Sequence, residues 1–171
     1  MFLRVFSIEI EIITRGPMKY FDLTSVLHDI VSESGVKQGI VDIHAVGATP
    51  ALVLIKNEVL DHLDRFIKEY IPVTGWKHGN AYAHLRSALL GTHKRIPITN
   101  GEPLLGGSRL YFLETRPVHN HRRKIIFLAR GKESLTDKNN WINWARGWSS
   151  SRSEYQRAET STNSLKKKLR G

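Results

Sequence analysis

Apolar and polar side chains alternate along residues 2–14, FLRVFSIEIEIIT, loosely at first and then regularly from Ser7 to Ile12. The apolar residues there are Ile8, Ile10 and Ile12, and the polar residues between them are Ser7, Glu9 and Glu11. Successive side chains of a β-strand point to opposite faces, so this period of two is typical of a strand that is half buried. The segment therefore predicts a strand with one face against a protein core, ended by the breaker Arg15-Gly16-Pro17.

The rest of the chain alternates between strand and helix patterns. Apolar residues at three- and four-residue spacing predict three helices, over 25–34, over 58–70 and from Ala81 onwards. Thr24 is the predicted cap of the first helix, and Gly35 is predicted to end it. Strand patterns occupy 39–46, part of 47–57, 94–99, 103–107, 108–116 and 123–130, and the dipeptide Asn100-Gly101 is a strong hairpin turn. Short strands interspersed with three helices predict an α+β fold rather than a doubly wound sheet.

Charge divides the chain into a domain over 1–130 and an extension over 131–171. The net charge is +10 in 171 residues, and the extension holds 9 Lys/Arg against 4 Asp/Glu, which is half of the excess. Its three tryptophans, Trp141, Trp144 and Trp148, fall on one face of a predicted helix, and the residues after Ser149 are predicted to be weakly ordered. Such a basic tail suits nucleic acid, but it is equally typical of a solvated extension.

Two absences exclude whole classes of site. The chain has no cysteine, so disulfide frameworks, thiolate zinc sites and cysteine nucleophiles are excluded, and a cytoplasmic location is predicted. No apolar run approaches 18 residues, so we expect no association with a membrane.

The stretch HGNAYAHLRSALLG, residues 78–91, is the leading candidate for a site. Gly79 and Asn80 have the composition of a helix start, which predicts unpaired backbone amides at residues 81–83. Free amides and the positive end of a helix dipole favour a phosphate. A phosphorylated small molecule is therefore the expected ligand, with His78 and His84 beside it.

A helical wheel adds a prediction about the faces of this helix. It places Ala81, His84, Leu85 and Ala88 on the buried side, whereas Arg86 and Ser87 turn away. A histidine at such a margin is more often a hydrogen-bonded core residue than a ligand, and both readings stay open. His78 and His84 are six residues apart, which is not a spacing typical of metal sites on helices.

Four segments together resemble the family named after YjbQ. They are GNAYAHLRSALLG, then IPITNGEPLLGG and LYFLETR, and the earlier GATPALVLIKNE, in the family's order and spacing. The resemblance implies a jelly-roll-like β-sandwich and a homotrimer. It also implies a thiamine-phosphate synthase activity and a histidine-lined site that holds a divalent metal, Zn or Mg.

The resemblance also assigns roles to single residues. His84 and Glu114 match the family's catalytic positions, and His78 and His84 would be the metal ligands. Ligand binding is assigned to Thr49, Gly79 and Asn80. Ala81 and Arg86 are predicted to bind the ligand for a different reason, namely the backbone amide at the helix start and the positive charge one turn further on. Tyr82 replaces the first histidine of the family's HAH motif, and Gly47 stands where bacterial members have histidine.

These observations converge on one mechanism and one alternative. Diphosphate would lie against the amides of residues 81–83, with Arg86, Arg109 or a lysine near the subunit boundary sharing its charge. His84 would donate to the leaving oxygen or help to hold a divalent ion that does, and Glu114 would orient His84 or the ion. The alternative keeps the fold but not the chemistry, as a protein that binds a phosphorylated ligand, or nucleic acid through the basic tail.

Overall fold

A computed structural model describes residues 3–133 of the chain. The strands are β1 (Leu3–Thr14), β2 (Lys19–Asp22), β3 (Gln38–Ala45), β4 (Pro50–Ile55), β5 (His93–Thr99), β6 (Glu102–Pro103), β7 (Arg109–Glu114) and β8 (His121–Lys132). The helices are α1 (Thr24–Ser34), α2 (Leu60–Tyr70) and α3 (Ala81–Leu90), with a short 3-10 turn over Asn57–Val59. The three predicted helices are therefore confirmed, whereas the four-residue β2 was not predicted.

Two antiparallel sheets form the sandwich. The larger has the order β1-β8-β3-β5-β6 and the smaller the order β2-β7-β4. β1 and β8 pair over their whole length, from Leu3 opposite Lys132 to Thr14 opposite His121. The alternation read from residues 2–14 is confirmed, because Phe6, Ile8, Ile10 and Ile12 pack against the core. The α+β prediction is confirmed as well.

The core lies between the sheets and beneath α1. Its largest fully buried side chains include Phe112 from the smaller sheet and Phe127 from the larger one. The opposite face of the smaller sheet is also covered, because Leu60 and Leu63 of α2 and Leu90 at the end of α3 pack against Val53 and Leu113. This covering places α3 directly over β4.

The sequence correctly predicts where α1 ends but not which residue caps its start. Gly35 ends the helix in a left-handed conformation, with φ of 69°, as predicted. Thr24 is not the cap, because the helix begins at Thr24 and Leu23 precedes it without a side-chain cap. Instead the Thr24 amide donates to Asp22 Oδ1 at 2.9 Å. The turn at Asn100 and Gly101 is confirmed, with positive φ at both residues.

Two further predictions concern the ends of the chain and the membrane. The predicted face of Trp141, Trp144 and Trp148 and the basic cluster near the C-terminus fall outside the described residues. Within residues 3–133, no helix is long and apolar enough to cross a membrane.

Candidate functional site

The buried face of α3 differs from the one the helical wheel predicts. Tyr82, Ala83, Arg86 and Ser87 are buried, whereas Leu85 and Leu89 are exposed. The reason lies in β4, because Ser87 Oγ donates to the carbonyl of Pro50 across the contact between helix and strand. The apolar residues of α3 are distributed around the helix, so its own sequence does not determine which face is buried. The contacts of α3 with the rest of the fold determine that face.

The start of α3 offers fewer free amides than predicted. The Ala81 amide donates to His78 O and the Ala83 amide to Asn80 O, each at 3.0 Å. Asn80 occupies the N-cap position but makes no side-chain capping bond. Gly79 is open, since a Cβ there would meet nothing within 4 Å. The prediction of three unpaired amides is therefore wrong, because the Ala81 and Ala83 amides are already bonded to the carbonyls of His78 and Asn80.

The two histidines do come together. The ring centroids of His78 and His84 are 5.9 Å apart, with the planes inclined by 43°. His84 is half-buried, whereas His78 is exposed. The pair lies at the N-terminal end of α3, where it can present two ring nitrogens to one ligand.

A surface depression of about 490 Å³ opens beside His84. Apart from His84 its lining consists of small side chains and glycines: Gly47, Ala48, Ser87, Ala88, Gly91 and Thr92. None of these seven residues is acidic. The predicted candidate His84 therefore faces a cavity with room for a ligand.

Arg86 does not reach this depression. Its side chain is 1% exposed, and Nε and Nη2 donate to Ile71 O at 3.1 and 2.6 Å. Its guanidinium also lies over the ring of Tyr82, 5.1 Å from the centroid. Burial lowers the pKa of Arg86. The predicted ligand-binding role is corrected to a structural one, because the side chain ties α3 to the segment that follows α2.

Glu114 is likewise occupied by protein. It is 0% exposed, and Arg123 donates to both of its oxygens at 2.7 Å. Thr14 Oγ1 donates to Oε2 at 2.8 Å and the Arg116 amide to Oε1 at 3.1 Å. Burial acts to raise the pKa of Glu114, but the bonds from Arg123 and Thr14 outweigh it and hold that pKa below its usual value. The carboxylate therefore orients Arg123, not His84 or an ion as predicted.

Arg123 is the functional candidate that sequence reasoning missed. Its Nη2 also donates to Thr49 Oγ1 at 3.1 Å, so the predicted ligand-binding residue Thr49 contacts the guanidinium. Its Nη1 lies 3.7 Å from the point where a Cβ on Gly47 would stand, and Gly47 lines the depression. The sequence contained one indication of its role. Arg123 is a charged residue at a position that alternation along β8 assigns to the buried face, in line with Ile125, Phe127 and Ala129.

A second cation, Lys94, lies beside Gly91, which lines the depression. Lys94 Nζ donates to Leu90 O at 2.8 Å and lies 3.6 Å from the point where a Cβ on Gly91 would stand. Burial lowers the pKa of Lys94. Arg109, in contrast, pairs with Asp22 at 2.6 Å. It begins β7 while Glu114 ends that strand, so the structure does not bring Arg109 to the depression.

The donor set does not fit the metal site that the resemblance implies. A zinc site takes at least three protein ligands, and magnesium takes six oxygen ligands, in part from water. Over residues 3–133, no three His, Cys, Asp or Glu side chains gather closely enough to hold a metal ion. His78 and His84 are the two that meet here, and the carboxylate of Glu114 is bound to a guanidinium.

Comparison with known proteins connects the chain to one family. The model of the family described as "UPF0047 protein YjbQ-like" matches residues 8–132. A UPF0047 protein of Methanothermobacter thermautotrophicus is 27% identical over 133 residues, covering 73% of this chain and 93% of that protein. Another, from Synechocystis, is 28% identical over 134 residues, covering 72% and 91%.

Solved structures show the same architecture. A YbjQ-like protein of unknown function from Sulfolobus solfataricus superposes with a TM-score of 0.71 at 27% identity, covering 77% of this chain and all of that one. An uncharacterised protein of the yjbq/upf0047 family from Clostridium acetobutylicum gives 0.66 at 26% identity, covering 71% and 98%. The matches cover nearly the whole of these relatives, so residues 134–171 here extend beyond the shared domain.

Proposed function

The chain belongs to the UPF0047 YjbQ-like family, and we propose that it binds a phosphorylated small molecule in the depression beside His84. One observation carries the proposal: His84 lines the depression, none of the seven lining residues is acidic, and three further basic side chains lie close to lining residues. They are His78 beside His84, Arg123 beside Gly47 and Lys94 beside Gly91. Pockets that orient a ligand combine small or apolar walls with a few converging polar groups, and this depression has that composition.

Electrostatics support an anionic ligand. A guanidinium presents planar donors that match phosphate oxygens, and an ammonium acts as a point charge for the same group. Glu114 is fully buried and bound to Arg123, so the two charges largely cancel. Arg123 therefore offers an anion the donor Nη1 rather than a net charge, and Lys94 supplies a positive charge near Gly91. The size of about 490 Å³ suits a ligand of metabolite size.

In its most specific form, the proposed function is that of a transferase similar to thiamine-phosphate synthase. The methylene carbon of a hydroxymethylpyrimidine diphosphate loses diphosphate, and the C–O electron pair leaves with the oxygen. The ring nitrogen of a thiazole phosphate then forms the new C–N bond to that carbon. His84 donates to the leaving oxygen, which lowers the charge that develops there.

The experiment that tests binding uses inorganic phosphate and diphosphate, titrated into the full chain by calorimetry. Saturable binding that His84→Ala weakens supports the proposal, and absence of binding by both anions contradicts it. Turnover is tested separately, by incubation with the two phosphorylated precursors and detection of thiamine phosphate. Binding without turnover would leave a phosphate-ligand protein of the same fold, which is the non-catalytic alternative.

A homotrimer is the proposed assembly, as the family resemblance implies. Several large apolar side chains of α2 and the segment after it are exposed: Phe66, Tyr70, Val73 and Trp76. Phe66 and Tyr70 pack against each other with ring centroids 4.4 Å apart, which makes a contiguous apolar surface. Contiguous exposed apolar surface is typical of a protein–protein contact.

A further inference from the structure

We infer that the depression binds its anion without a metal ion, and that Arg123 reaches that anion through the space beside Gly47. This inference rests on the proposed function, and it adds that Arg123 is a side chain that contacts the anion. It differs from the family resemblance, which implies a divalent metal ion bound by histidines.

The first step concerns what the side chains can coordinate. Two imidazoles, His78 and His84, meet at the depression, and they supply fewer ligands than a zinc site requires. The carboxylate that could complete the set, on Glu114, has its two oxygens hydrogen-bonded to Arg123, Thr14 and the Arg116 amide. A divalent cation close to Gly47 would in addition meet the guanidinium of Arg123, which has the same sign of charge.

The second step concerns how Arg123 is held. Nε and Nη2 form a two-pronged pair with Glu114, and Nη2 also bonds Thr49. These bonds fix the plane of the guanidinium before any ligand arrives, so binding does not have to order the side chain. They use Nε and Nη2, whereas Nη1 is directed towards Gly47. The side chain is 7% exposed, and a bond made there would be well shielded from water.

The third step concerns the glycine. Gly47 has a φ of +124°, which L side chains rarely adopt. A Cβ at this position would lie 3.3 Å from Pro50 Cδ and 3.7 Å from Arg123 Nη1. The absence of a side chain therefore keeps open the space between the depression and the guanidinium.

The test measures diphosphate binding by calorimetry on the full chain, after treatment with EDTA and again with added zinc or magnesium. Zinc and magnesium are also titrated alone. We expect diphosphate to bind the EDTA-treated protein, and added metal to change the affinity by less than about threefold. We expect Arg123→Lys, which keeps the charge but loses Nη1 and the two-pronged pair with Glu114 that holds the side chain in place, to weaken binding by about tenfold or more.

Two variants complete the design. Arg122→Gln is the matched control, because Arg122 is the neighbouring residue of β8 but is exposed and pairs with Glu11. It removes a charge without touching the depression and should leave the affinity unchanged. The double variant Arg123→Met with Glu114→Gln removes the cation without leaving a buried carboxylate unpaired, so it tests the same point if Arg123→Lys does not fold.

Three results would overturn the inference or its premise. Diphosphate binding that appears only with added zinc or magnesium would contradict the metal-free site and leave the proposed function intact. Metal-free binding that the Arg123 variants do not weaken would remove Arg123 from the site. No binding of phosphate or diphosphate, with or without metal, would end the proposed function itself.

Discussion

Arg123 holds Glu114 through two hydrogen bonds of 2.7 Å, from Nε to Oε2 and from Nη2 to Oε1, in a pair of which the carboxylate is 0% and the guanidinium 7% exposed. Taking both charges out of water is costly, and the pair is tolerated because the carboxylate oxygens are also satisfied by Thr14 and the Arg116 amide. The pair therefore fixes one guanidinium beside Gly47 at the edge of the depression.

The first prediction concerns the pH dependence of stability. The pKa of Glu114 is lowered in the folded state, so its contribution is fully present above the ordinary glutamate value of 4.5. It is lost as the pH falls through the lower folded-state pKa. Glu114→Gln should flatten this acid-side decline in urea unfolding measured at pH 7, 5 and 3. An unchanged decline would show that other carboxylates cause it.

Removing one partner of the pair should cost more than removing both. Arg123→Met leaves a buried carboxylate unpaired, and we expect it to lower the free energy of unfolding by about 3–5 kcal/mol. The double variant with Glu114→Gln should recover most of that loss. Equal losses in the single and double variants would mean that packing, not charge, causes the effect.

The next prediction concerns His84. His84→Ala should abolish diphosphate binding in the depression while leaving the fold and the assembly unchanged, because the imidazole is half-buried at its wall. His28→Ala is a suitable control, since His28 is a half-buried histidine of α1 that contacts Glu102 at 2.8 Å. Calorimetry and circular dichroism measure the two properties. Equal affinity in both variants would remove His84 from the site.

Local patterns predicted the strands better than the site. β1 and β8 could be predicted because alternation along a strand states which side is buried, although β8 runs over His121–Lys132 rather than 123–130. β2 was missed because four residues are too few to show a period. The predicted strand over 103–107 shrinks to Glu102–Pro103. Short or edge segments depend on partners that the local sequence does not contain.

The site depends on contacts between distant parts of the chain. His78 and His84 are neighbours along one turn and one helix, so their approach could be predicted. The Arg123 site could not, because Thr14 and Glu114 are 100 residues apart in sequence and meet only when the sheets assemble. The targets of the Arg86 and Ser87 side chains, Ile71 O and Pro50 O, are equally nonlocal.

Arg86 provides a prediction about stability rather than binding. Arg86→Met removes two charged hydrogen bonds to Ile71 O, and we expect a loss of about 2 kcal/mol. The loss is partly offset because Arg86 Nη1 is buried and, among residues 3–133, has no hydrogen-bond partner. Arg65→Met, at an exposed position of α2, is the matched control. Urea unfolding measures both, and equal stability would show that the bond to Ile71 contributes nothing.

The exposed apolar surface of α2 predicts how the assembly responds to charge. Phe66→Glu should convert the proposed homotrimer to smaller species, because the side chain is 46% exposed and stacks on Tyr70. Leu104→Glu is the control, at a residue that is 61% exposed in the segment between β6 and β7. Light scattering after size exclusion measures the mass. A trimer in both variants would place its interface elsewhere.

Two tyrosines that pack edge to face should respond in opposite ways to loss of the hydroxyl. Tyr20 and Tyr111 have ring centroids 6.3 Å apart, and Tyr111 OH donates to Asn57 Oδ1 at 2.8 Å. Tyr20 OH is buried and, within residues 3–133, makes no hydrogen bond of good geometry, although Asp64 lies beside it. An unpartnered buried hydroxyl carries a desolvation cost. Burial and the neighbouring Asp64 also raise the pKa of Tyr20, which keeps its hydroxyl protonated.

Tyr20→Phe should therefore be neutral or stabilising, whereas Tyr111→Phe should cost about 1 kcal/mol through the lost bond to Asn57. The two variants remove the same atom from adjacent strands, so each controls for the other in urea unfolding. A loss in Tyr20→Phe as large as that in Tyr111→Phe would mean that the Tyr20 hydroxyl is bonded in solution. Asp64 would then be the acceptor to test, by Asp64→Asn, because it is the neighbouring carboxylate and its Oδ1 is also without a partner.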